Sequence, residues 1–195
     1  MLKPQNDQHQ SDRLLVSRQR RGGGQIPFSP APLASPAVTG PSPSERFIDL
    51  ADQAATEALA RRLALAARPG DVLALSGPLG AGKSVLARAF VRALTKPDEE
   101  VPSPTFTLVQ HYDGAAGTVR HFDLYRVVQA EEALELGFED GLEHSITLIE
   151  WPERLGGLLP GRRLEIALDD TGAPEARRVR LAARGGSTLL QRAFG

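Results

Sequence analysis

The chain has 195 residues, 41% of them hydrophobic and 24% charged, with a formal net charge of −1. That length suits one soluble domain, and no apolar run approaches the roughly eighteen residues a membrane helix needs. Cysteine is absent, which excludes disulfides, thiolate metal sites and a cysteine nucleophile, and fits a cytoplasmic protein.

Residues 1–44 read as a disordered tail. They hold seven of the fifteen prolines and the run Gly22-Gly23-Gly24, and too little apolar surface to offset the entropy of ordering. The first twenty residues lack the apolar core of a signal peptide. The tail carries +3 of charge, which leaves −4 on the remainder. A domain of that sign gives no electrostatic support to a nucleic-acid-binding face.

Residues 45–185 carry the pattern of a folded domain. Asp52 to Ala67 predicts a helix, with Leu59, Leu63 and Ala66 at helical spacing and Pro69-Gly70 stopping it. Asp71 to Ser76 (DVLALS) is a short apolar run of the doubly buried, parallel-strand type. Gly77 to Gly82 is a glycine-rich loop, and Lys83 to Leu94 predicts the helix after it. Val101 to Thr105 (VPSPT) is a proline-stiffened loop. Phe106 to Tyr112 and Thr118 to Leu124 predict a hairpin around Asp113-Gly114. Gln129 to Leu136 predicts an acidic helix, and Ile146 to Trp151 (ITLIEW) a strand ending in charge. Arg163 to Leu168 and Arg178 to Ala182 predict two strands around Thr171-Gly172. Residues 186–195 form a C-terminal tail or short helix. This order predicts a single α/β domain of P-loop NTPase type, a mixed parallel and antiparallel sheet with flanking helices.

Gly77-Pro78-Leu79-Gly80-Ala81-Gly82-Lys83-Ser84 matches G-x-x-x-x-G-K-[ST]. Chance would give roughly 0.003 such matches in a chain of this composition, and the strand before and helix after it supply the required context. The glycines let successive N–H groups turn toward phosphate oxygens, and the helix start adds partial positive charge. Lys83 brings a mobile ammonium and Ser84 a hydroxyl for Mg²⁺. Such a site also needs a carboxylate at a strand end and a group that positions water. Asp123 and Glu150 both end predicted strands, and spacing alone does not choose between them. Thr105 offers a polar reach to a γ-phosphate from a switch-like loop, but without further context a plain proline turn is the better reading of the segment. His121 reads as a structural histidine, Trp151 as a packing anchor near the site mouth, and Glu131, Glu132 and Glu135 as a solvated face.

The blocks GPLGAGKS, SPTFTLV, HFDLYR and LIEWPERLGGLLP, in that order over residues 48–183, resemble the bacterial TsaE (YjeE) family of small P-loop ATPases. The resemblance implies a protein that binds ATP and Mg²⁺ and hydrolyses ATP, weakly without its partners. It would act with TsaD and TsaB in forming N6-threonylcarbamoyladenosine in tRNAs that read codons starting with A, meeting tRNA only through that complex and no membrane. Gly80, Ala81, Gly82, Lys83, Ser84 and Val85 would cradle the nucleotide, and Ser84 and Glu150 would hold Mg²⁺. Asp123 would be the second acid for hydrolysis, Thr105 part of a switch-like loop, and Trp151 a neighbour of the nucleotide. Asp52 and Thr56 would lie near the adenine, and Arg177 would be a further contact. Pro78 departs from the Asp frequent in the family and lacks an N–H. It precedes the main amide cradle, so little harm is expected. Ser84 replaces the frequent Thr and keeps the hydroxyl.

Three other classes compete. A small-molecule P-loop kinase needs an Arg-bearing lid, for which Arg162 and Arg163 are candidates, and an acceptor motif, which is not evident. A GTPase reads guanine with an N-K-x-D element, and the chain's only asparagine is Asn6. A non-catalytic nucleotide sensor would use the same loop to reset a complex.

Overall fold

A computed structural model describes residues 44–195; the tail expected over residues 1–44 lies, but for its last residue, outside them. The described residues form one seven-stranded sheet in the order β1-β7-β6-β2-β5-β4-β3. In chain order the elements are β1 (Glu45–Leu50), α1 (Gln53–Ala66), β2 (Val72–Ser76), α2 (Lys83–Leu94), β3 (Val109–Gly114) and β4 (Gly117–Asp123). They continue with α3 (Glu132–Glu135), β5 (Ile146–Glu150), a 3-10 helix (Pro152–Leu158), β6 (Arg163–Asp170), β7 (Arg177–Arg184) and α4 (Leu189–Phe194).

The sheet is mixed, as the sequence predicts. β2 pairs in parallel with both β5 and β6, and β4 in parallel with β5. β3 runs antiparallel to β4, and β1 and β7 add an antiparallel edge beside β6. The continuous apolar runs of β2 and β5 lie at the centre, where both faces are covered. Alternation along each strand sends one set of side chains to each face. Leu73, Leu75, Leu148, Leu164, Ile166 and Leu181 pack with Leu63, Leu86 and Phe90 of α1 and α2 and Leu189 of α4. Phe122, Ile149 and Val72 pack on the other face with Phe138 and Leu155. Each large side chain fully buried here contributes about 1.5–3 kcal/mol of transfer free energy.

Several bounds differ from expectation for physical reasons. β1 is an added edge strand that the apolar pattern does not reveal, because most of its residues are half-exposed or exposed. The strand expected from Phe106 begins at Val109, since Leu108 turns left-handed (φ 64) and its N–H donates to Pro104 O. The acidic helix shrinks to four residues, and Glu132 Oε1 accepts from the N–H groups of Val128 and Gln129 ahead of it. β6 and β7 are longer than predicted, eight residues each. Among the described residues no helix is long and apolar enough to cross a membrane.

Candidate functional site

The site lies where the parallel strands end. In open α/β sheets ligands bind in the crevice outside the carboxyl ends of the strands. There β2 passes into the loop 77–82, and β4 and β5 deliver Asp123 and Glu150 side by side in register.

Backbone geometry explains the glycines of the loop. Gly80 (φ 81) and Gly82 (φ 99) adopt left-handed conformations that cost other residues strain. Gly77 combines φ 134 with a wall: a Cβ there would stand 2.3 Å from Leu168 O. Gly82 caps α2, so the N–H groups of the first helical turn, from Lys83 onward, have no intrahelical acceptors and remain available to an anion.

Lys83 Nζ donates to Gly77 O at 2.6 Å and Pro78 O at 2.9 Å, and sits 3.8 Å from the centroid of the Trp151 ring. Burial lowers the ammonium's pKa below the usual lysine range, while the charges of Glu150, Glu153 and Asp123 pull it partly back. Trp151 reaches this position because it turns left-handed (φ 60) at the end of β5, with Pro152 opening the 3-10 helix behind it. The Tyr125 ring lies 5.0 Å from that of Trp151.

Two carboxylates organise the far side. Ser84 Oγ donates to Glu150 Oε2 at 2.9 Å, and His121 Nε2 lies 2.9 Å from Glu150 Oε1. Asp123 Oδ2 accepts from Ser103 Oγ at 2.7 Å and Thr105 Oγ1 at 2.8 Å, and Oδ1 accepts from the Tyr125 N–H at 3.1 Å. The VPSPT loop is thus fastened to the end of β4. Ser103 and His121 are the residues that sequence reasoning undervalued: their role depends on pairings 20 and 29 residues away, which only the sheet register brings together.

A separate pocket beside the loop is lined by Gln53, Thr56, Gly80, Ala81, Gly82, Val85, Glu175 and Arg177. Arg177 Nε donates to Ala81 O at 3.1 Å and Nη2 to Gly80 O at 3.3 Å, tying the β6–β7 hairpin to the loop. Asp52 does not line this pocket; its Oδ1 accepts from the Ala55 N–H at 2.7 Å and caps α1. Arg162 and Arg163 stand at the start of β6, level with the start of β2 and so at the opposite end of the sheet. Arg163 is held there by Glu165 and Pro160 O. They form no lid over the loop.

The donor set fits a nucleotide with Mg²⁺. Among the described residues no three His, Cys, Asp or Glu side chains gather to cage a metal. Mg²⁺ characteristically takes one or two protein oxygens and completes its shell with phosphate and water, and the Ser84 hydroxyl and Glu150 carboxylate offer such oxygens beside the glycine-rich loop.

Comparison with known proteins gives a consistent result. The family model "Threonylcarbamoyl adenosine biosynthesis protein TsaE" matches residues 50–179. The tRNA threonylcarbamoyladenosine biosynthesis protein TsaE of Rickettsia conorii is 40% identical over 114 residues, covering 58% of this chain and 65% of that protein, just under two thirds of its length. The protein of the same name from Bacillus subtilis is 36% identical over 121 residues, covering 62% of this chain and 75% of that one. The crystal structure of Bacillus subtilis YdiB superposes with a TM-score of 0.62 at 27% identity, over 76% of this chain and 93% of that one.

Proposed function

The chain belongs to the TsaE family, and on that premise we propose that it is a cytoplasmic, Mg²⁺-dependent ATPase. It acts with TsaD and TsaB in forming N6-threonylcarbamoyladenosine in tRNAs that read codons starting with A. Contact with tRNA runs through that complex. The observation that carries the reading is the Ser84–Glu150 pair at 2.9 Å, set directly after a glycine-rich loop whose Lys83 donates to the carbonyls of Gly77 and Pro78 and lies against the Trp151 ring.

The amides from Gly80 to Val85 orient the phosphate tail. Lys83 exchanges the carbonyls of Gly77 and Pro78 for phosphate oxygens. Ser84 and Glu150 would hold Mg²⁺, which would supply positive charge to the phosphate oxygens. Asp123 orients water through Oδ2 once Ser103 and Thr105 release it. Thr56, Val85 and Arg177 border the pocket that suits the nucleoside end. The lone asparagine at Asn6 argues for adenine over guanine.

Glu150→Ala should retain much of the ATP binding and lose Mg²⁺-dependent turnover when reconstituted with TsaD and TsaB. Turnover intact in that variant would overturn the metal assignment. Depleting the protein from its source cell should remove threonylcarbamoyladenosine from tRNA digests read by mass spectrometry. Its persistence would refute the pathway and leave the ATPase reading standing.

A further inference from the structure

We infer that His121 is a positioning residue for the Mg²⁺ site: its Nε2–H fixes one oxygen of Glu150 so that the other is presented, beside the Ser84 hydroxyl, to the metal. The inference rests on the Mg²⁺ reading above and extends it to a residue that need touch neither nucleotide nor metal.

Strand register creates the contact. In the parallel pair β4–β5, His121 stands opposite Leu148 and Asp123 opposite Glu150. Side chains two residues apart share a face, so His121, Asp123 and Glu150 all lie on the α2 side of the sheet. His121 reaches diagonally, two residues along the strand, to Glu150. Both side chains are almost fully enclosed, at 1% and 2% exposure.

The hydrogen bonds divide Glu150 cleanly. Oε1 meets His121 Nε2 and Oε2 meets Ser84 Oγ, each at 2.9 Å. An ionised carboxylate only accepts, so the hydrogen belongs to Nε2. Nδ1 is buried without a hydrogen-bond partner among the described residues. A histidine kept only to fill the core would thus bury an unsatisfied nitrogen that leucine would not. Glu150 is the ring's one polar contact among the described residues, and it is what offsets that cost. Without His121, Oε1 loses its buried donor, and the carboxylate is no longer fixed in rotation. The carboxylate then no longer presents Oε2 beside Ser84.

The test is a Mg²⁺ titration of the full chain at saturating ATP. Trp151, the sole tryptophan, reports through its fluorescence, and ATP affinity is measured in parallel with Mg²⁺ chelated. Removing a residue that orients a metal ligand typically weakens the metal by about 10–100-fold. His121→Leu should shift the Mg²⁺ midpoint upward by that factor. His121→Gln keeps a donor near the Nε2 position and should bring the midpoint back to within about threefold of the parent. ATP affinity without Mg²⁺ should stay within about twofold in both. If His121→Leu loses the parent's melting transition, His121→Asn takes its place, because its shorter amide stops short of Glu150. An unmoved midpoint in the disrupting variant, or an equal loss of Mg²⁺-free affinity, overturns the role of His121. A parent chain with no Mg²⁺ response overturns the metal reading itself, and this inference with it.

Discussion

Asp123→Ala should unfasten the loop 101–107 from the sheet while leaving the strands in place. Asp123 Oδ2 accepts from both Ser103 Oγ and Thr105 Oγ1. Hydrogen bonds to a charged group contribute about 1.5–3 kcal/mol each. The two share a single oxygen and hydrogen-bond to each other at 3.0 Å, so they are coupled and together contribute about 2–4 kcal/mol. At about 1.4 kcal/mol per factor of ten, the open form of the loop becomes roughly 30- to 700-fold more populated. Val101 stays buried and its carbonyl still accepts from Arg88 Nε, so the loop opens around a fixed start. Chymotryptic cleavage after Phe106, a residue already 82% exposed, reads that population as long as closing outpaces cleavage. Ser103→Ala and Thr105→Val should each accelerate cleavage by a smaller factor. Neither should add to Asp123→Ala, because the acceptor is already gone. Cleavage of Asp123→Ala within about threefold of the parent, or additive effects of the hydroxyl variants in its background, would refute this latch.

The loop glycines should separate by their surroundings. Gly77→Ala meets both a left-handed backbone and Leu168 O, and should cost about 2–5 kcal/mol in urea unfolding. In Gly82→Ala the new Cβ meets only Leu168 Cδ2, at an ordinary 3.8 Å, so the substitution should cost only the conformational part, about 1–2 kcal/mol; costs equal to those of Gly77→Ala would contradict the steric difference. Burial lowers Lys83 below its ordinary 10.5, and a bound phosphate tail would raise it again. Binding therefore takes up a proton, and nucleotide affinity should fall as pH rises through the free-protein value, by at most about tenfold per pH unit. The same shift makes the Lys83 contribution to folding stability increase as pH rises over that window, since the unfolded chain binds the proton more tightly. A flat affinity profile across the alkaline range would contradict the burial of Lys83.

Much of this site is legible from sequence because its parts are local. The loop, its lysine and serine, and the strand and helix around it are contiguous, and each glycine's role follows from backbone sterics. The acids are legible only as candidates: Asp123 and Glu150 both end strands, and the register that sets them side by side is a property of the sheet. β1 escapes notice because an edge strand buries little and shows no apolar period. The hairpin strand loses Phe106 because Leu108 turns left-handed and its N–H donates back to Pro104 O, a local turn that an apolar pattern does not show. His121 shows why a buried histidine's partner cannot be read from its neighbours, since Glu150 is 29 positions away. Arg162 and Arg163 show the reverse, since lid-forming chemistry lies at the wrong end of the sheet.

The most direct measurement is calorimetric titration of ATP with Mg²⁺ into the chain, alone and with TsaD and TsaB present. The parent protein should give a one-site binding heat that disappears in a folded Lys83→Ala variant. No heat in the parent under either condition, or an unchanged isotherm in Lys83→Ala, would contradict this expectation.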